Sequence, residues 1–172
     1  LKERLINVPN ILSISRVFLV PFFSYFLIKE KVIFSFLILC AIVLTDALDG
    51  FIARFFSCET KIGKILDHVI DKFVIAWIMI TLSYLRDFPL WGTFLIIGRD
   101  FLSLVAGLYI LRKNKLFGSN IFGKISGFFF AVTTLLFLFN SEVRFIFFYL
   151  TITSFLVASI TYLRKFVYNL KS

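Results

Sequence analysis

The sequence predicts an all-α integral membrane protein of six transmembrane helices, preceded by a short amphipathic juxtamembrane segment. Three observations carry that expectation. Of the 172 residues 60% are hydrophobic and 25 are Phe, and the mean hydropathy is +0.96, outside the range of a soluble fold. The apolar runs recur along the whole chain, each near the ~20 residues that cross a ~30 Å hydrocarbon core as helix. Lys and Arg gather in alternate connections, as they do in a multi-pass chain of fixed orientation.

Residues 1–9, "LKERLINVP", mix charged and apolar side chains and end at Pro9, which suits an interfacial segment and not a cleavable signal peptide. The first span, 10–28, runs up to the charged break at Lys29–Lys31. The second, 32–54, stays apolar as far as Leu44 and then turns acidic before Arg54. The third, 63–85, starts acidic and stops before Arg86, Asp87 and Pro89. The fourth, 90–111, is interrupted by Arg99–Asp100, and the fifth, 121–140, closes on Asn140. The sixth, 145–164, follows Arg144 and ends in Arg164–Lys165. No stretch is left for a soluble domain, so residues 1–172 are expected to form a single membrane domain.

With both termini cytoplasmic, that side collects Lys2, Arg4, Arg54, Lys61, Lys64, Arg112, Lys113, Lys115, Lys124, Arg164, Lys165 and Lys171. The opposite side receives Lys29, Lys31, Arg86 and Arg144. The positive-inside rule therefore places the 54–62 connection in the cytoplasm, and the expected location is multi-pass in the cell inner (plasma) membrane. The net charge of +9 reads as a surface for anionic lipid headgroups and phosphorylated substrates, with no sign of a nucleic-acid groove. Cys40 and Cys58 lie in a span and a loop without C-x-x-C spacing, so neither a disulfide nor a metal is expected of them.

The outlier is "TDALDGFIARFFSCETKIGKILDHVIDKF", Thr45 to Phe73, which sets Asp46, Asp49, Asp67 and Asp71 in an otherwise greasy chain. Asp46 and Asp49 share a helix face on which Gly50 and Ala53 add almost no bulk. Asp67 and Asp71 are one turn apart, with Gly63 a turn earlier on the same stripe. Helices joined by a short loop are expected to be antiparallel neighbours, so the two acidic stripes would face each other and line one cavity.

A carboxylate inside a bilayer costs roughly 2.5–3.5 kcal/mol even on a lenient scale. Arg54 and Lys72 would offset part of that cost for four acids, and divalent cations the rest. All-oxygen ligands suit Mg²⁺, Mn²⁺ or Ca²⁺ rather than zinc. Two cations shared by carboxylates are what phosphoryl-transfer sites use to neutralise a diphosphate. Acids that merely capped helix ends would leave the small residues unexplained, and close helix packing alone would leave the acids unexplained.

"DALDGFIARFFSCETKIGKILDHVID" resembles the signature of the CDP-alcohol phosphotransferase (phosphatidyltransferase) family, D-x-x-D-G-x-x-A-R-(x)8-G-x-x-x-D-x-x-x-D, with every specified position filled. The family's six-helix membrane fold agrees with the span count. The resemblance implies a metal-dependent enzyme that moves a phosphatidyl group from CDP-diacylglycerol to an alcohol and releases CMP. It implies that Asp46, Asp49, Asp67 and Asp71 hold two Mg²⁺ ions, with Mn²⁺ as a substitute, and that Asp71 is also the general base. Gly50, Ala53 and Gly63 would admit the nucleotide, Arg54 would contact the diphosphate, and Thr60 would help bind the cytidine nucleotide. Homodimers occur in the family, and one is admissible here.

The opening "PNILSISR" resembles the P-N-x-x-T-x-x-R start of phosphatidylglycerophosphate synthases, with Ser13 at the Thr position and Arg16 at the Arg position. That resemblance implies that Asn10, Ile11, Leu12 and Ser13 touch the CDP-lipid and that sn-glycerol 3-phosphate is the acceptor. Arg99, in "GRDF", would read the acceptor phosphate through its fork of donors, joined by Arg112, Lys115 and Lys124. A self-satisfied Arg99–Asp100 pair is the bland reading, as a helix cap is for Asn10 and a snorkelling residue for Arg16. His68 and Ile70 depart from the usual L-D-P-x-A-D-K, and "GRDF" also resembles cardiolipin synthases of the same superfamily. Phosphatidylglycerol or an inositol phosphate is then the alternative acceptor. His68 points about 100° away from Asp67 along the helix and reads as structural. An ion transporter would also explain acids and arginines within spans, but not the fixed Gly and Arg spacing.

Overall fold

The structure, a computed structural model, describes residues 8–55, 61–112 and 121–171, with side chains described for 12–48, 63, 66–105, 123 and 125–161. It is all-helical: α1 (Val8–Ile28), α2 (Val32–Phe55), α3 (Lys61–Leu85), α4 (Leu90–Arg112), α5 (Ile121–Leu138) and α6 (Arg144–Lys171). The six helices coincide with the six predicted runs, and the ends differ in instructive ways. Pro9 lies in the first turn of α1 instead of closing a separate segment, a position where its missing N–H costs nothing. The sixth helix continues to Lys171 because a cationic tail ends an apolar run without ending a helix. Residues 1–7 of the expected interfacial segment lie outside the described residues.

Among the described residues, Leu66–Leu85 and Arg144–Thr161 are long and apolar enough to cross a membrane. Leu12–Ile28, Val32–Leu48 and Ile125–Leu138 are shorter apolar stretches. Large apolar side chains face outward on every helix, with Phe18, Phe94 and Phe128 each about two-thirds exposed or more.

The chain divides into two compact units at Arg112/Lys113. In the first, α1 packs on both α2 and α3, and α3 packs on α4. Ser13, Arg16, Val20, Phe23 and Leu27 form one buried stripe of α1 at 3- and 4-residue spacing. The stripe is polar near the start of the helix and apolar beyond it. The helices it packs against bury Leu39 and Ile42 of α2 and the row Ile70, Val74, Ile78 and Leu82 of α3. Small hydroxyls tie the helices where backbones run close. Ser24 Oγ pairs with Thr81 Oγ1 at 2.9 Å and accepts from Trp77 Nε1 at 2.9 Å, Ser35 Oγ donates to the Phe23 carbonyl, and Ser83 pairs with Thr93.

The turn after α1 carries Glu30 at φ 56°, with Lys31 N–H donating to the Phe26 carbonyl and Glu30 N–H to that of Leu27. This is a Schellman closure made without glycine. Arg86 Nη2 donates to Glu30 Oε2 at 2.9 Å, tying the α3–α4 connection to that turn at the end of the unit remote from the acids. In the second unit α5 packs on α6 through Phe137, Phe148 and Phe155 and a buried Thr133–Thr151 pair at 2.7 Å. Asn140 at φ 56° closes α5 by the same backbone pattern.

Candidate functional site

Three helix ends supply the site. The last turns of α2 contribute Asp46, the first turns of α3 contribute Asp67 and Asp71, and the polar end of the buried α1 stripe contributes Ser13 and Arg16. Oxygens of Asp46, Asp67 and Asp71 all lie within 4.8 Å of one another. The expected convergence of α2 and α3 acids is therefore found for these three. Among the described residues α1 is the helix in extensive contact with both, and its Arg16 joins their acids.

Arg16 Nη1 donates to Asp46 Oδ1 at 2.5 Å and to Asp71 Oδ1, and Nη2 donates to Asp67 Oδ1. Ser13, one turn earlier on the same face, donates its hydroxyl to Asp67 Oδ1 at 3.0 Å. The Arg16 side chain is 2% exposed, whereas those of Asp46, Asp67 and Asp71 are 53%, 39% and 29% exposed. The guanidinium thus lies beneath the carboxylates, and Asp71 is the most sheltered of the three. One guanidinium against three carboxylates leaves a formal charge of −2 among the described side chains.

That donor set fits a divalent cation. Two oxygens bound to one ion lie at most twice the metal–oxygen distance apart, about 4.2 Å for Mg²⁺ and about 5 Å for Ca²⁺, so a 4.8 Å cluster needs little adjustment to share one. His68 is half-buried and does not belong to the cluster, consistent with its structural reading.

A second ionic cluster lies on α3 and α4. Asp100, 4% exposed, meets Lys72 Nζ at 3.2 Å and Arg99 Nη1 at 3.2 Å, both at Oδ1. Lys72, expected to offset the acids of the motif, is thus paired with Asp100, and Arg16 supplies that offset instead. Arg99 carries the internal pair weighed as its bland reading, with its side chain 27% exposed. Phe73, Ala76, Ile97, Phe101 and Leu104 line a mostly apolar groove whose wall also includes Lys72 and Asp100.

The remaining predicted residues divide by what the structure describes. Leu12 is half-buried beside Ser13, and Gly63 is buried one turn before Asp67. Asn10 and Ile11 in α1, Asp49, Gly50, Ala53 and Arg54 in α2, Arg112 in α4 and Lys124 in α5 have helical backbone, and their side chains lie outside the described set. Helix geometry sets the Asp49 Cα about 60° round from that of Asp46. Thr60 and Lys115 lie outside the described residues. Sequence reasoning gave Arg16 no place among the acids. The signal available was its position on one stripe with Val20, Phe23 and Leu27.

Comparison with known proteins agrees with the motif. A model of the CDP-alcohol phosphatidyltransferase family matches residues 6–159. The chain is 33% identical over 132 residues to an Aquifex aeolicus protein named CDP-diacylglycerol–glycerol-3-phosphate 3-phosphatidyltransferase, covering 75% of this chain and 74% of the relative. It is 34% identical over 105 residues to human cardiolipin synthase (CMP-forming), covering 60% of this chain and 35% of that protein. Over 118 residues it is 31% identical to a probable phosphatidylglycerophosphate synthase of Mycobacterium tuberculosis, covering 65% of this chain and 56% of the relative.

Proposed function

Because this chain belongs to the CDP-alcohol phosphatidyltransferase family, we propose that it transfers the phosphatidyl group of CDP-diacylglycerol to sn-glycerol 3-phosphate, giving phosphatidylglycerophosphate and CMP. The observation that carries the reading is the convergence of Asp46, Asp67 and Asp71 within 4.8 Å, in a chain with 33% identity to a relative bearing that activity in its name. The membership leaves the transporter reading without support.

Asp46, Asp49, Asp67 and Asp71 would hold two Mg²⁺ ions, with Mn²⁺ as a substitute. Bound cations would neutralise the diphosphate and stabilise the negative charge on the oxygens of the transferring group and of the departing CMP. The acceptor hydroxyl oxygen forms a bond to the phosphatidyl phosphorus, the bond from that phosphorus to the CMP oxygen breaks, and the hydroxyl proton passes to the Asp71 carboxylate. Asp71 suits that role because it is the most sheltered of the three described acids, where a proton acceptor faces least competition from bulk water. Gly50, Ala53 and Gly63 would give the nucleotide a low wall, Arg54 would meet the diphosphate, and Thr60 the cytidine nucleotide. Asn10, Ile11, Leu12 and Ser13 would flank the CDP-lipid. For Ser13 the hydrogen bond to Asp67 supports a place beside the acids. Arg99, with Arg112, Lys115 and Lys124, would attract the acceptor phosphate.

All six helices would cross the membrane as one domain over residues 1–172, with both termini and the site cytoplasmic, in the cell inner membrane. The outward apolar side chains on each helix support this arrangement, as do the cation-rich 54–62 and 112–124 connections. A homodimer is compatible with it. The 34% identity to human cardiolipin synthase makes phosphatidylglycerol the alternative acceptor. Incubating purified protein with CDP-diacylglycerol, Mg²⁺ and either glycerol 3-phosphate, phosphatidylglycerol or an inositol phosphate, with CMP release and the lipid product measured, tests the assignment. Phosphatidylglycerophosphate is the expected product, and cardiolipin or a phosphoinositide product would replace the acceptor assigned here.

A further inference from the structure

Arg16 engages all three described carboxylates with a single planar group: Nη1 reaches Asp46 and Asp71, and Nη2 reaches Asp67. A guanidinium sharing oxygens from two helices does structurally what a bridging cation does. It pulls together side chains that would otherwise repel, and Ser13 adds a hydrogen bond from the same helix face. The position is fixed by packing, since Arg16 is 2% exposed at the head of a stripe anchored by Val20, Phe23 and Leu27. The carboxylates remain half-open above it. A divalent ion entering from the open side would draw on the same three groups and would meet the positive charge beneath them.

We propose that Arg16 is an internal competitor of the divalent cation: it holds the carboxylates of Asp46, Asp67 and Asp71 together without metal and weakens metal binding when metal arrives. The inference rests on the metal reading above and adds a residue which that reading does not use. By linkage, whatever factor Arg16 takes from metal affinity, bound metal takes from the hold of Arg16 on the carboxylates. The site is thereby assembled in advance and its cations remain exchangeable. Removing the guanidinium would leave three acids that depend on metal for their compensation.

The test compares Mn²⁺ binding by the 172-residue chain in detergent micelles, read from the loss of the free-ion paramagnetic resonance signal, for wild type, Arg16→Met and Arg16→Lys. Thermal unfolding of each protein is followed in EDTA and in saturating Mg²⁺. The expected result is Mn²⁺ affinity at least ~10-fold higher in Arg16→Met, equivalent to about 1.4 kcal/mol. That variant also unfolds at lower temperature in EDTA and gains more from Mg²⁺ than wild type does. Arg16→Lys, whose point charge cannot span three carboxylates, falls between the two. Affinity that is unchanged or lower in Arg16→Met overturns the proposal and makes Arg16 a support that orients the ligands. Should Arg16→Met fail to give a monodisperse protein, Arg16→Lys decides alone: Mn²⁺ affinity above wild type upholds competition, and equal or lower affinity rejects it. A wild type that binds no Mn²⁺ removes the metal reading and this inference together, whereas normal binding with no response to Arg16 removes this inference alone.

Discussion

Two ionic clusters sit in the same four-helix unit and are balanced in opposite senses. Around Asp100, one buried carboxylate is shared among the described residues by two cations, Lys72 and Arg99. Around Arg16, one buried guanidinium is met by Asp46, Asp67 and Asp71, and the acids are half-open. In each case the minority charge is the more deeply buried and the majority the more exposed. The difference in sign separates their capacities. The first arrangement gathers cations about an acid, the second gathers acids about a cation, and adjacent residues of α3, Asp71 and Lys72, belong one to each.

The acid-rich cluster is expected to fail first when cations are withdrawn. EDTA should abolish CMP release and restored Mg²⁺ should recover it, because a diphosphate cannot approach three or four carboxylates uncompensated. Undiminished turnover in a thoroughly chelated sample would overturn the metal reading of the acids. Within the same cluster, Asp71→Asn should lower turnover at least ~100-fold, the low end for losing a general base. CDP-diacylglycerol binding should survive better in that variant than in Asp46→Asn, and near-normal turnover would put the base elsewhere.

The cation-rich cluster should respond in stability before chemistry. Asp100→Asn leaves Lys72 and Arg99 facing each other without their shared acid. Since both are about a quarter exposed, the loss should fall below that of a fully buried pair, at about 1–3 kcal/mol in denaturant or thermal unfolding. An unchanged midpoint would mean that the two cations are satisfied without Asp100. Smallest is the effect on substrate use: Arg99→Ala should raise the KM for glycerol 3-phosphate about 10-fold, worth about 1.4 kcal/mol, with little change in the KM for CDP-diacylglycerol. Arg99→Lys should recover part of that because it keeps charge and loses the fork. Equal changes in both KM values would assign Arg99 to structure alone.

How far these clusters could be read from the sequence follows from what hydropathy reports. It registers where a chain turns polar, so Lys29–Lys31, Arg86–Pro89 and Asn140–Arg144 marked three helix breaks within a few residues. The acidic spacing marked Asp46, Asp49, Asp67 and Asp71 as a group, of which the three with described side chains converge, and the family resemblance that it carried is borne out by the match over residues 6–159. Which face of each helix is buried was not legible. Where lipid-facing and core-facing side chains are equally apolar, Phe22 and Phe23 look alike, yet one is 55% exposed and the other fully buried. For the same reason an Arg within an apolar helix announced its cost but not its partner. Among the described residues the helix in extensive contact with both α2 and α3 is α1, which adjacency in sequence does not reveal.

The buried stripe of α1 makes the site sensitive to insertions and deletions in a way that no hydrophobicity profile would reveal. Each residue removed between Arg16 and Val20 turns one part of the helix about 100° against the other. A deletion there would keep α1 as long and nearly as apolar as before. It would also force a choice, because Val20, Phe23 and Leu27 could stay seated only with Arg16 swung away from the three carboxylates, and Arg16 could stay only with the three apolar anchors unseated. The reading frame of the helix, more than its composition, is what gives the acids their counter-charge.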